Sequence, residues 1–320
     1  MTKITDLLGI KYPIFQGGMA RISLAPLVAA VGEAGGIGFI TAGGMTAAEV
    51  RTEINKTREL TEKPFGVNCM LMNPHTPEII DVIIEEGIKV ITTGAGTPKP
   101  YMEKLKAAGV KVFSVVPSVK LAKKMEELGV DGVIAEGTES GGHVGETTTM
   151  ALVPQVVSAV NIPVLAAGGI ADGRGMAAAF ALGAVGIQMG TVFLTTEECP
   201  VHENFKKAVL NQTDTDTTVT GRSLGAPVRS IKNAMISRYL EMEESKASRD
   251  ELEELSLGSL YKAVVEGKVD EGSVMSGQIG GMIKEKKSVE QVITEIVNEA
   301  KETINALHTS PIMEKELSYS

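Results

Sequence analysis

The chain has 320 residues, 43% hydrophobic and 22% charged, with 31 basic side chains against 40 acidic ones and a formal net charge of −9. That balance buries a sizeable core and excludes global disorder, and an acidic chain without a basic block is a poor binder of nucleic acid or of a membrane surface. Aromatic residues are few, but 35 glycines suit tight turns and a backbone that approaches a ligand closely.

One pattern recurs along the chain: an amphipathic stretch, a glycine, then a short β-branched run. Gly35, Gly87, Gly109, Gly129 and Gly183 each stand where a helix would end on a left-handed residue, and each is followed by a run apolar on both faces, as in a buried parallel strand. Strands are expected near residues 13–16, 37–41, 65–71, 89–93, 111–116, 132–136, 163–167 and 186–190, with helices over 46–60, 77–86, 98–108 and 119–128 between them. Eight βα units at this spacing favour an α/β fold of the (β/α)8 TIM-barrel type, an open doubly wound sheet being the alternative. After residue 198 the rhythm stops. Residues 199–272 read as a smaller, mainly helical lid, with helices near 230–242 and 249–255. Residues 273–308 return to the barrel with an amphipathic helix over 289–307, and 309–320 read as a flexible tail. Two cysteines, Cys69 and Cys199, make no disulfide framework or CxxC motif, residues 1–6 lack a signal-peptide core, and no apolar run reaches membrane-span length, so a cytoplasmic setting is expected.

Active sites of such barrels form where the strands end. The segments after strands 7 and 8 carry Ala167-Gly168-Gly169 and Gln188-Met189-Gly190-Thr191. Paired glycine turns with a hydroxyl, beside a helix N-terminus, suit a dianionic phosphate, which points to FMN. Gly17, Gly18 and Met19 after strand 1 and Asn68 in strand 3 are candidates for the flavin ring, Gln188 for another cofactor contact, and Glu136 for ribityl hydroxyls. His143 lies in a run Gly141-Gly142-His143-Val144-Gly145, a flexible loop that would present one imidazole over the cofactor for proton transfer. The other histidines, 75, 202 and 308, read as structural or surface residues. No HxH or HxxxH spacing suggests a zinc site, and Cys69 reads as core.

Several of these segments together resemble the nitronate monooxygenase superfamily: Gln16-Gly17-Gly18-Met19, Lys63-Pro64-Phe65-Gly66-Val67-Asn68, Thr93-Gly94-Ala95-Gly96, the run from Glu136 to Gly145, and Ala166-Ala167-Gly168-Gly169-Ile170-Ala171-Asp172-Gly173. Within it the chain looks most like the FMN-dependent enoyl-[acyl-carrier-protein] reductases II of bacterial fatty-acid synthesis. The resemblance spans about residues 4–300 and includes Val228-Arg229-Ser230-Ile231-Lys232-Asn233 and Gly272-Ser273-Val274-Met275-Ser276-Gly277-Gln278. It implies an FMN enzyme that takes NADH or NADPH as cosubstrate, acts on enoyl-acyl-carrier-protein or enoyl-CoA, forms a homodimer, and holds a monovalent cation near Met275 and Ser276. Nitronate oxidation with O2, or NADH:quinone reduction, is the alternative within the same superfamily. Arg21, Met45, Val192 and Ala226 depart from the reductase pattern, all near the expected mouth. A basic group on the lid, Arg222, Arg229, Lys232 and Arg238 with Lys206 and Lys207, is a candidate dock for an acidic carrier protein, with Arg229 and Lys232 sharing a face if that stretch is helical.

Overall fold

The structure is a computed structural model that describes residues 3–309. In chain order the elements are α1 (Ile4–Leu8), β1 (Ile14–Gln16), α2 (Ala25–Glu33), β2 (Phe39–Thr41), α3 (Ala47–Leu60), β3 (Gly66–Met70), α4 (Thr76–Glu85), β4 (Val90–Gly94), α5 (Met102–Ala107), β5 (Lys111–Val116), α6 (Val119–Glu127), β6 (Gly132–Glu136), β7 (Gly142–His143), α7 (Thr149–Val157), β8 (Val164–Ala167), α8 (Gly173–Ala181), β9 (Gly186–Met189), α9 (Glu203–Leu210), β10 (Thr217–Thr220), β11 (Val228–Ile231), α10 (Ala234–Glu244), α11 (Arg249–Ser256), α12 (Ser259–Val264) and α13 (Val289–His308).

Eight of the strands form one parallel sheet in the order β1-β9-β8-β6-β5-β4-β3-β2. Its two edges meet at a single bridge, Phe15 to Ile37. Gln16 N donates to Ile37 O (2.9 Å), Ile37 N to Ile14 O (2.9 Å), and the buried Gln16 side chain accepts from Phe39 N (3.3 Å). The sheet thus closes into a (β/α)8 barrel. Its interior is filled by Phe15, Phe39, Phe113, Ile134 and Leu165 together with Ile4 and Leu8 of α1. Phe15 meets Phe39 and Phe113 at ring-centroid distances of 5.2 and 5.4 Å, within the range of favourable tilted and edge-on pairs.

The recurring glycines do the work their spacing suggests. Gly35, Gly87, Gly109, Gly129 and Gly183 all have φ between 65° and 94°, which ends each helix and turns the chain into the next strand. Helix starts are written as plainly, since Thr46 with Glu49 and Ser288 with Gln291 form reciprocal capping boxes. α13 buries Ile293, Ile296, Val297 and Ala300 and packs on α8 and α2, where the helix following β9 belongs. At Gly173 a Cβ would lie 2.2 Å from Ala300 N, so only glycine lets the two helices approach.

One expectation within residues 199–272 is corrected. Residues 199–272 carry four helices, α9 to α12, and in addition β10 and β11 form an antiparallel hairpin that β7 joins as a third strand. Residues 228–231 are therefore strand, not helix, because alternating Val228, Arg229, Ser230 and Ile231 pair with Thr220 through Thr217. α13 runs to His308, one residue past the expected end, and residues 310–320 of the expected tail lie outside the described residues.

Candidate active site at the barrel mouth

The C-terminal ends of the strands gather the expected residues in one place. Gly17 stands so close to Gln188 that a Cβ would lie 3.3 Å from the amide carbon and nitrogen. At Gly18 a Cβ would fall 2.3 Å from Asn68 Cγ, and at Gly190 it would lie 3.4 Å from Met19 Sδ. The loops after β1, β3 and β9 therefore converge, with Asn68 held by a hydrogen bond from its Nδ2 to Thr92 Oγ1 (2.9 Å). Gln188 is buried, and its amide has no protein partner among the described residues.

The glycine loops expected to hold a phosphate are equally specific in their geometry. Gly168 and Gly169 have φ of 84° and 71°, and a Cβ on Gly168 would meet Gly137 O at 2.8 Å. Among the described residues the amides of Gly168, Gly169, Gly190 and Thr191 donate to no protein acceptor. Orphan backbone donors grouped in this way fit an anionic ligand. Thr191 Oγ1 accepts from Gly277 N (2.9 Å), which leaves its own proton free to donate. At the N-terminus of α8, by contrast, two amides already have protein acceptors: Asp172 caps Gly175 N (2.9 Å) and Glu299 takes Gly173 N (2.7 Å). The Asp172 cap and a carboxylate from α13 have already satisfied those donors. The fit to FMN thus rests on the glycine loops themselves.

His143 lies at this mouth, but in a strand. It belongs to β7 and pairs with Val228 of β11, while Gly142, with φ of 76°, pairs with Arg229. The expected flexible loop is instead fastened from both sides, since Val144 N donates to Pro227 O (3.0 Å) and Gly141 stands against Ser276 and Gly277, where a Cβ would come within 2.7 Å. The imidazole is more than a third open to solvent, yet crowding by the protein holds its pKa below the usual value. Glu136, at the end of β6, keeps some accessible surface but is packed tightly enough that burial pushes its carboxyl up to about 7. The neighbouring Ser140 hydroxyl tempers that rise without making a well-formed hydrogen bond, and it is buried with no partner.

Other expectations resolve plainly. Ser276 Oγ donates to Gln212 Oε1 (2.7 Å), and Gln212 Nε2 donates to Gly277 O (2.9 Å), so a glutamine amide holds the segment expected to bind a cation. Cys69 and Cys199 are buried free thiols, pushed up to about 12 and about 11 by burial. No metal-binding cluster of His, Cys, Asp or Glu occurs among the described residues, and no helix there is long and apolar enough to cross a membrane. The basic group on the lid is not one surface: Lys206 and Arg229 are buried, and Arg222 pairs with Glu146. Sequence reasoning missed Gln16, Glu139 and Gln212. Glu139 takes Thr149 N and Oγ1 (2.9 Å each at the closest oxygen), and Thr149 Oγ1 also reaches Gly168 O (2.9 Å), bracing the β6 loop against β8. Nothing in the local sequence marks contacts made between such distant segments.

The nitronate monooxygenase family model matches residues 1–81 and 77–299. The chain belongs to the nitronate monooxygenase family. Its members are flavin-dependent oxidoreductases, and this chain is an oxidoreductase of that kind. A probable nitronate monooxygenase of Staphylococcus saprophyticus is 35% identical, covering 95% of this chain and 99% of the relative. A (3aS,4S,5R,7aS)-5-hydroxy-7a-methyl-1-oxo-octahydro-1H-indene-4-carboxyl-CoA dehydrogenase of Rhodococcus jostii is also 35% identical, over 96% and 97% of the two chains. Among solved structures, FabK from Thermotoga maritima is 48% identical with a TM-score of 0.93, over 96% of this chain and 99% of that one. Nitroalkane oxidase from Streptomyces ansochromogenes is 29% identical with a TM-score of 0.86, over 96% and 100%.

Proposed function

We propose that the chain is an FMN-dependent enoyl-thioester reductase that uses NADH or NADPH to saturate the trans-2 double bond of an enoyl group carried on acyl carrier protein or coenzyme A. The likeness to FabK, at 48% identity over nearly the whole of both chains, carries this reading. When bound, FMN supplies the two-electron relay between nicotinamide and enoyl thioester. The amides of Gly168, Gly169, Gly190 and Thr191 hold its phosphate. Gly17, Gly18 and Met19 wall its ring, Asn68 and Gln188 bond polar edges, and Glu136 bonds ribityl hydroxyls. Gly141, Gly142 and Ala167 give the backbone room around it.

His143 handles the proton. Reduction adds hydride at the β-carbon and a proton at the α-carbon, and the imidazole either delivers that proton or donates an N–H to the thioester carbonyl, which gathers charge as hydride arrives. A depressed pKa keeps the ring largely neutral near pH 7, ready for the second role, while making its cation a stronger acid for the first. Anaerobic stopped-flow tests the reading: NADH should bleach the yellow protein, and crotonyl thioester should restore its colour faster than O2 does.

A second reading is nitronate oxidation, supported by the family model and by a relative named a probable nitronate monooxygenase. It requires bleaching by an alkyl nitronate without NADH, and recovery by O2 while the enoyl thioester has no effect.

A further inference from the structure

Arg229 is buried, with 7% of its surface exposed, yet it forms no salt bridge among the described residues. Its Nε donates to Thr138 O (3.1 Å) and its Nη1 to Thr217 Oγ1 (3.0 Å), two neutral acceptors for a group with five N–H donors. Glu139 is the carboxylate whose charge reaches it, and that carboxylate is committed to Thr149. A guanidinium desolvated for so little return is a poor device for stability alone, since an apolar side chain of similar volume often serves a buried position better.

What the guanidinium does hold is the chain leading to His143. Thr138 opens the loop between β6 and β7, and β11 grips that loop at both ends. The Arg229 side chain takes the carbonyl at its start, and the β11 backbone pairs with Gly142 and His143 at its finish. On the opposite side Gln278 N donates to Glu139 O (2.9 Å), and Gly141 abuts Ser276. The His143 side chain makes no hydrogen bond of its own among the described residues, so its ring stands wherever this loop puts it. We infer that Arg229 is a positioning residue for His143: its fork on Thr138 O and Thr217 Oγ1 closes residues 138–143 into a fixed arch that sets the imidazole over the mouth. The inference rests on His143 as the proton-handling group.

Arg229→Lys tests it, because lysine keeps the charge and loses the fork. The charged groups around His143 are Glu136, Glu139 and Glu146 on its own segment and Arg222 and Arg229 on the hairpin side; burial is what lowers its pKa. Ring NMR of the four histidines, with the His143 signal identified by its loss in His143→Ala, should show a midpoint below 6.5 that climbs toward 6.5 in Arg229→Lys as the arch opens to water. In half-reactions Arg229→Lys should keep flavin and NADH reduction within about threefold and lower the enoyl step about 10-fold, with KM within threefold. In a His143→Ala background the same change should cost less than twofold. Thr217→Val, which removes one acceptor, should give a smaller shift of the same sign. An unmoved His143 midpoint in both variants overturns the inference, and so do equal losses in both half-reactions or undiminished losses without His143. Should the wild-type protein not reduce enoyl thioesters, the substrate reading falls while the NMR titration still decides the role of Arg229.

Discussion

Gly168→Ala offers a direct measure of how far the cofactor reading depends on backbone geometry. Gly168 has φ of 84°, and an added Cβ would lie 2.8 Å from Gly137 O, a carbonyl within a segment whose own amide bonds Ala167 O at 2.9 Å and which therefore yields little. The left-handed conformation costs a non-glycine residue about 1–2 kcal/mol, and overpacking against fixed backbone adds roughly 1–3 kcal/mol. Gly44→Ala is the matched control, because φ there is 77° and nothing lies within 4 Å of the added Cβ. Urea unfolding should place Gly168→Ala about 1–3 kcal/mol below the Gly44→Ala protein. FMN affinity of the folded protein, titrated by flavin fluorescence quenching, should fall a further 10-fold or more, because a displaced amide forfeits a charge-assisted hydrogen bond of about 1.5–3 kcal/mol. If the two variants bind FMN equally well, the orphan amides of the Gly168 loop do not form the phosphate site.

His143→Ala should retain FMN and its reduction by NADH while the enoyl half-reaction drops roughly 10²–10⁴-fold, as read by anaerobic stopped-flow. Burial pushes the Glu136 carboxyl from its ordinary 4.5 up to about 7, so the folded apoprotein binds the extra proton and its stability falls as pH rises from about 4.5 to 7. Glu136→Gln should remove that slope, worth at most about 3 kcal/mol in urea unfolding at pH 5 and pH 8. Gly18→Ala should drive Asn68 off Thr92 Oγ1 and weaken FMN binding about 10-fold by fluorescence titration, with no effect expected only if Asn68 plays no part.

The barrel was legible because its punctuation is local. Gly35, Gly87, Gly109, Gly129 and Gly183 each mark a helix end within a few residues of the strand that follows, and the observed positive φ values at all five reflect a constraint that only glycine meets cheaply. The glycine loops proposed for the cofactor were legible for the same reason, since Gly168 and Gly169 take positive φ and Gly190 lies tight against Met19. The hairpin β10–β11 was not, because its third strand, β7, lies far away in sequence and only two residues long, and the short run 228–231 could satisfy helix or strand. Arg229 illustrates the cost of that ambiguity: read on a helix it faces solvent and a carrier protein, whereas on β11 it turns inward to Thr138.

The same contrast explains why family membership is clearer than substrate. For the proposed cofactor contacts the groups are amides whose positions follow from glycine conformations, so motif and proposed site are nearly the same object. The residues that depart from the reductase pattern are side chains brought together from separate segments. Arg21, held at φ of 63°, lies over the Tyr261 ring of α12 at 5.3 Å, and beside it a cleft of about 480 Å³ is shared by Leu24, Met45 and Ala48 near the mouth and Val265 beyond α12. Arg21 and Met45 are two of the departures from the reductase pattern. A cation stacked on an aromatic ring contributes about 0.5–1 kcal/mol where exposed, enough to bias the position of α12 but not to fix it. Relatives named a probable nitronate monooxygenase and a CoA dehydrogenase are equally 35% identical to this chain, so overall identity does not choose between their substrates, and substitutions at Arg21 and Met45 are where that choice can be probed.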